Sequence, residues 1–401
     1  MHRSMQDLSL DRVQQPGDLD GREVRPPREF TENEVRTGQI SGGSVVERLP
    51  LLDRFLPVWI ICAMAAGIGL GRVFPDLNRH LEAIQVTQGT SLPIFIGLLI
   101  MMYPVLAKVR YGNIGPVAND KRMLVSSLVL NWIIGPAVMF SLAWLFLPNQ
   151  PTYRTGLIIV GLARCIAMVL IWNDLSCGDR EAAAVLVTLN SLFQIVGFAL
   201  LGYFYLTVLP GWLGLSTLGI HFSTARIAET VAIFLGIPLV AGLLTRVVAE
   251  RSKGVTWYET KFLPKISPLA LVGLLYTIVI LFALQGHRIT TRPTEVAQIA
   301  LPLIGYFALM WFGSFAWGRA IGLPYERTAT LAFTAAGNNF ELAIAVCIGV
   351  FGVTSGQALA GAVGPLIEVP VLVALVYVSL WARTRWFSVA GNEHDSSTVG
   401  N

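Results

Sequence analysis

Ten long apolar runs, separated by short polar loops, dominate the chain from Phe55 onward. Each run is close to the ~20 residues that an α-helix needs to cross the hydrocarbon core of a bilayer. The pattern predicts an all-α integral membrane protein with ten transmembrane helices. The runs lie near 55–74, 91–108, 123–147, 155–174, 181–208, 227–249, 266–286, 296–319, 328–352 and 358–381.

Charged residues are concentrated before the first of these runs. Residues 1–54 carry 18 of the 54 formal charges, although the chain has 401 residues. We therefore predict a disordered cytoplasmic tail over 1–50, a transporter domain over 51–386 and a short cytoplasmic C-terminal tail over 387–401. The net charge of +4 is not clustered on a basic domain, so we do not expect the chain to bind nucleic acid.

The loop cations predict the orientation in the membrane. Lys108, Arg110, Lys121 and Arg122 follow the second run, and five further cations follow the sixth. The alternate loops carry fewer cations. Because cytoplasmic loops are enriched in Lys and Arg, both termini are expected in the cytoplasm.

Two of the runs carry matching interruptions. The fourth contains GLARC at 161–165 and the ninth contains TAAGN at 334–338, and the two coincide when Arg154 is aligned with Arg327. Paired interruptions in the two halves of a transporter point to its binding site. Ten spans permit two five-helix halves of opposite topology, and each of these two stretches lies inside an apolar run where a helix could break.

Ionisable side chains inside the apolar runs are the first candidates for chemistry. An ionised group at the centre of a membrane helix costs at least about 2.5–3.5 kcal/mol, so Arg164, Glu341 and Glu368 require a reason to be there. Asn190 and Gln194 lie one turn apart and share a helix face. A substrate or proton path is favoured, and a buried pair between Arg164 and a glutamate that only fixes helix packing is the alternative.

Among the four cysteines, Cys165 is the candidate ligand. It follows a cation at the predicted break, and a neighbouring cation favours the thiolate. Cys62 and Cys347 have apolar or small neighbours, and Cys177 lies at a predicted membrane edge. On chemistry alone a buried cysteine more often packs than binds a ligand, so a packing role for Cys165 stays open at this point. The cysteines form no CxxC pair and no metal-ligand spacing, so neither a cofactor nor a zinc site is predicted.

Three stretches of the chain resemble the arsenite efflux permeases of the arsenical-compound resistance family, within the bile acid/sodium symporter superfamily. They are GLARCIAMVLIWNDLSCGDREAAAVLVTLNSLFQI at 161–195, TAAGNNFELAIAV at 334–346 and GPLIEVPVLVALVYVSLW at 364–381. The resemblance extends from about Pro50 to Trp386. It implies two inverted five-helix repeats in which helices four and nine are discontinuous and cross near the middle of the membrane. It implies that Cys165 of the RCIAM motif and Glu341 of the NNFE motif are central to transport. The secondary substrate-binding candidates that it implies are Arg164, Trp172, Asn190, Asn338, Asn339, Phe340 and Glu368.

The resemblance further implies secondary active efflux of arsenite across the plasma membrane, the inner membrane in a bacterium, with antimonite a second candidate substrate. Arsenite at neutral pH is mainly As(OH)₃, whose soft arsenic prefers thiolate ligands. Export of a neutral solute against its gradient requires a coupled ion. We expect proton antiport with Glu341 as the coupling acid, Cys165 as the arsenic contact, and Glu368 and Asn190 shaping the pocket.

Three other functions compete with this one. A sodium-coupled organic anion symporter of the same fold would use oxygens of Asn338, Asn339 and Glu341 as cation ligands. A passive metalloid channel would need no coupled ion. A membrane enzyme with Cys165 as nucleophile is not expected, because no histidine of the sequence lies within the predicted spans near that cysteine to activate it.

Overall fold

A computed structural model describes residues 55–74, 85–87, 90–108, 120–166, 168–215, 224–291 and 293–387. The predicted tails, 1–50 and all of 387–401 except its first residue, lie outside the described residues. The described part is helical apart from one short antiparallel pair of strands, β1 (Gln85–Thr87) and β2 (Thr90–Ser91).

The helices account for all ten predicted apolar runs. Eight of the runs coincide with one helix each, whereas the fourth and the ninth each coincide with two consecutive shorter helices. The bounds are α1 Leu56–Val73, α2 Leu92–Ala107, α3 Lys121–Phe146, α4 Pro151–Leu162, α5 Met168–Leu175, α6 Arg180–Trp212, α7 224–253, α8 255–291, α9 Pro293–Ala320, α10 Tyr325–Ala336, α11 Phe340–Phe351 and α12 Gly356–Phe387.

Six of these helices, namely α3, α6, α7, α8, α9 and α12, are long and apolar enough to cross a bilayer. Large apolar side chains cover their outer surfaces, and Leu145, Val196 and Leu244 are each more than half exposed. In water such a surface would be unfavourable, whereas lipid tails solvate it. The chain is therefore a membrane protein.

Prolines set the local shape of four long helices. Each of α3, α6, α7 and α8 contains one π turn that ends two residues before a proline. Proline has no N–H and its ring crowds the carbonyl group four residues earlier, so the preceding turn widens. The prolines are Pro136, Pro210, Pro238 and Pro264.

The helices pack in two groups. In the first group α8 runs against α1 and α2, and α7 packs on α2. In the second group α4 packs on α3 and α12, and α9 packs on α3, α10 and α12. The short helices α5 and α10 lie within the second group, whereas α11 packs on α4 and α12 of that group and also on α2 and α7 of the first. Most residues of α10 and α11 are buried. This burial places the two interrupted segments in the interior.

Candidate functional site

The two interrupted segments meet at their breaks. The α4 helix ends at Leu162 and α5 begins at Met168. The α10 helix ends at Ala336 and α11 begins at Phe340. Each break leaves backbone N–H and carbonyl groups without a helical partner, and in an apolar interior those groups need another one.

The two breaks supply each other with those partners. The Cys165 N–H donates to the Gly337 carbonyl at 3.3 Å, and the Asn339 N–H donates to the Ala163 carbonyl at 2.9 Å. The extended residues therefore pair like a minimal antiparallel bridge. This pairing fixes the side chains on either side of it at the crossing of the two segments.

Small and capping residues explain why the chain breaks here. A Cβ on Gly337 would lie 2.9 Å from the Cβ of Cys165, so only glycine permits the close approach. The Asn339 side chain accepts a hydrogen bond from the Leu342 N–H at 3.0 Å and caps the start of α11. The second segment therefore ends one helix and restarts another within three residues.

A small cavity opens at the crossing, with room for about one water-sized group. Its polar lining consists of Cys165, Asn338, Glu341 and Glu368. Its apolar lining consists of Ile166, Met168, Leu274, Phe340 and Pro365. Leu274 belongs to α8, so the cavity lies between the two helix groups. A larger ligand must displace side chains of at least one group.

Cys165 reaches the cavity from the first break. It is 2% exposed, and its Sγ accepts a hydrogen bond from the Val169 N–H at 3.3 Å. Val169 lies in the first turn of α5, whose free N–H groups and dipole favour negative charge. The Cys165 sulfur therefore has a polar partner at the start of α5 and also lines the cavity.

Two carboxyl groups face the same cavity. Glu341 is half-buried in the first turn of α11, and Glu368 is 2% exposed in α12. The Asn338 N–H donates to Oε1 of Glu368 at 3.2 Å. A proton on either group would therefore lie in the cavity that the thiol also lines.

Arg164 lies behind the cavity and does not line it. Its guanidinium donates to the Tyr306 hydroxyl at 2.7 Å, to Oδ1 of Asn338 at 3.1 Å and to the Gly161 carbonyl. Among the described residues these partners are all neutral oxygens. The alternative of a packing pair between Arg164 and a glutamate is therefore not what the structure forms.

Three further predicted residues do not line the cavity. Oδ1 of Asn190 accepts a hydrogen bond from the indole N–H of Trp132 at 3.2 Å. Trp172 is buried in α5, and the side-chain oxygen of Asn339 serves as the helix cap. Of the predicted set, the cavity brings together Cys165, Asn338, Phe340, Glu341 and Glu368.

Sequence reasoning missed partners that come from distant helices. Tyr306 of α9 holds the guanidinium, although nothing in its apolar neighbourhood distinguishes it. Gln194, noted only for its shared face with Asn190, accepts the Arg164 backbone N–H at 3.0 Å. Pro365 also lines the cavity, and its position in the GPLIEVP stretch, three residues before Glu368, could have identified it from the sequence.

The polar lining of the cavity is one thiol, two carboxyl groups and one amide. No group of three His, Cys, Asp or Glu side chains with metal-binding geometry occurs in the part of the chain that the structure describes. One soft sulfur and several oxygens in one cavity instead suit a ligand that binds and leaves.

Comparison with known proteins decides the family. The arsenical-resistance protein Acr3 of Corynebacterium glutamicum is 58% identical over 340 residues, which cover 85% of this chain and 92% of that protein. The chain belongs to the Acr3 family. The Acr3 protein of Alkaliphilus metalliredigens is 32% identical over 353 residues, which cover 85% of this chain and 96% of the relative.

The wider relationships agree with the Acr3 assignment. The Sodium Bile acid symporter family matches residues 95–292, and an uncharacterized transporter of Synechocystis is 33% identical over 365 residues, covering 86% of this chain and 92% of that protein. The resemblance drawn from the sequence motifs is confirmed. This Acr3-family chain is thus a multi-pass membrane protein whose relatives are named for arsenical resistance and transport.

Proposed function

We propose that the protein exports arsenite from the cytoplasm in exchange for protons and thereby confers arsenic resistance. The observation that carries the proposal is one buried thiol facing two carboxyl groups in a cavity at the crossing of two broken helices. The relatives named for arsenical resistance support the choice of substrate.

Cys165 binds the metalloid by ligand exchange. Its sulfur displaces one hydroxide of As(OH)₃, the thiol proton joins that hydroxide to form water, and an S–As bond replaces one O–As bond with no change of oxidation state. A soft arsenic centre prefers sulfur to oxygen ligands. A single sulfur ligand holds the substrate weakly enough for release, which a carrier requires. Antimonite has the same chemistry and is a second substrate.

Glu341 couples transport to protons. In its protonated form it donates a hydrogen bond to a hydroxyl of the substrate, and in its ionised form it loses that bond. A proton that enters the cell gains about 2.3 kcal/mol per 100 mV of membrane potential, enough for about a fiftyfold gradient of a neutral solute. Glu368 shapes the cavity beside it through the Asn338 N–H.

The proposed architecture has ten membrane spans in two inverted five-helix repeats within residues 51–386. The grouping of the first two spans with spans six and seven, as α1, α2, α7 and α8, supports this symmetry, because equivalent helices of each half pack together. We place the chain in the bacterial inner membrane with both termini in the cytoplasm, on the loop cations.

The first experiment measures arsenite uptake into everted membrane vesicles with a proton gradient in sodium-free buffer. We expect uptake that a protonophore abolishes and that Cys165→Ser removes. Cys347→Ser is the matched control, because Cys347 is buried in α11 and does not line the cavity. Uptake that requires sodium would contradict proton antiport and favour the sodium-coupled organic anion symporter. Uptake that a protonophore does not reduce would indicate a passive metalloid channel.

Two variants test the individual roles. Glu341→Gln is expected to abolish accumulation driven by the proton gradient, and unchanged accumulation would remove its coupling role. Arsenite is expected to protect Cys165 from a small thiol reagent in a variant whose other three cysteines are serine. If Cys165 is labelled at the same rate with and without arsenite, it does not bind the substrate and its role is packing.

A further inference from the structure

The guanidinium of Arg164 is completely buried, and its charge has no carboxylate partner among the described residues. Buried charges are costly unless they are paired or densely hydrogen-bonded. An apolar side chain of similar volume would fill the same space without the free-energy cost of burying a charge. The positive charge itself therefore needs an explanation.

The groups around the guanidinium resemble a cation site. A tyrosine hydroxyl from α9, an amide oxygen from the second break and a backbone carbonyl from the end of α4 converge on it. Gly161 is among the last residues of α4, whose terminal carbonyls lack helical partners and carry partial negative charge. Hydroxyl, amide and helix-end carbonyl oxygens between discontinuous helices are the ligands that transporters offer to mobile cations.

A glycine on a neighbouring helix also provides the space that the guanidinium occupies. A Cβ on Gly135 of α3 would lie 2.7 Å from Nη1 of Arg164 and 3.3 Å from the Tyr306 hydroxyl oxygen. Any larger residue at position 135 of α3 would therefore collide with the guanidinium. Asn338 connects it to the cavity, because its side chain accepts from Arg164 while its N–H donates to Glu368.

We propose that Arg164 is a tethered cation that permanently occupies a cation-binding position at the helix crossing. The fixed charge supplies what a mobile Na⁺ or K⁺ would otherwise supply there, so protons at the cavity carboxyls remain the coupling ion. This inference rests on the proposed function, because it explains how the exporter works without sodium. The side chain acts through Asn338 and the crossing backbone, so Arg164 is a positioning residue.

The test removes the tether and offers a free cation in its place. The full-length protein and Arg164→Ala are purified, and thermal unfolding is compared in choline chloride, NaCl and methylguanidinium chloride at equal ionic strength and low concentration. We expect NaCl or methylguanidinium to raise the Tm of Arg164→Ala by several degrees over choline and to leave the wild type unchanged. Arg154→Ala is the matched control, since Arg154 also donates to backbone carbonyls but lies about two helical turns before the end of α4.

Transport gives the second measurement. Arsenite uptake by Arg164→Ala is expected to fall at least tenfold in choline buffer and to recover with NaCl or methylguanidinium. Arg164→Lys is expected to retain uptake independent of sodium, because it keeps the charge. A folded Arg164→Ala protein with no cation-selective change in Tm would overturn the inference, as would full uptake in choline buffer.

Two outcomes keep the inference separate from the proposed function. If Arg164→Ala does not fold, Arg164→Gln undergoes the same measurements, and a Gln variant without cation-selective stabilisation counts against the tethered cation. If the wild type shows no proton-driven uptake while Arg164→Ala is stabilised selectively by a cation, the proposed function fails and the tethered cation stands.

Discussion

Gly337→Ala tests whether the close approach of the two breaks positions the thiol. The backbone of Gly337 has φ −70° and ψ 145°, which alanine adopts without strain, so the added methyl acts only through contact. That methyl would lie 2.9 Å from the Cβ of Cys165 and 3.5 Å from its Sγ. Ordinary carbon contacts begin near 3.4 Å, so Cys165 must move by about 0.5 Å or the bridge must open.

The size of the effect follows from this displacement. Overpacking of a tight interior costs about 1–3 kcal/mol of folding stability. A shift approaching 1 Å in a reacting group costs up to about a hundredfold in rate. We therefore expect Gly337→Ala to fold with a lowered Tm and to lose about ten- to a hundredfold of arsenite uptake in everted vesicles.

Gly313→Ala is the matched control, because a Cβ at Gly313 in α9 meets no atom within 4 Å. It is expected to transport like the wild type. If Gly337→Ala transports arsenite at the wild-type rate, the thiol position at the crossing does not limit transport, and the geometric argument is refuted.

Further predictions concern the stability of the fold. Asn339→Ala removes the cap of α11 and is expected to cost about 1 kcal/mol in thermal unfolding, while Asn339→Asp retains most of it. Tyr325→Phe leaves the buried Ser379 hydroxyl without its 2.9 Å partner and is expected to cost about 1–3 kcal/mol, with a Tyr203→Phe control near zero. Arg327→Met removes the 2.7 Å ion pair with Asp120, which is partly exposed, so we expect a loss of up to about 1 kcal/mol that shrinks in high salt. A loss independent of salt would assign that residue a packing role.

Much of the fold follows from patterns that the sequence carries locally. Apolar runs near the length of a membrane span predicted where the helices of the described part lie, because in an apolar environment a helix satisfies most backbone groups within its own segment. The breaks near 163 and 337 were predictable from small residues, and Asn339 is a recognisable cap. The cost of burying ionisable groups pointed to Arg164, Glu341 and Glu368, of which only the two glutamates line the cavity. Cys165 was singled out instead by its neighbouring cation and by the motif resemblance.

Tertiary structure alone decided which side of the crossing each side chain occupies. Beyond a helix break, the direction of a side chain depends on the partner backbone rather than on helical periodicity, so adjacent Arg164 and Cys165 point to different surroundings. Tyr306, 142 residues from Arg164 in sequence, becomes its ligand only because α9 packs beside the breaks. The packing of the helices also brings the indole N–H of Trp132 to the Asn190 side chain. It leaves the Cys165 thiol and the two carboxyl groups lining one cavity.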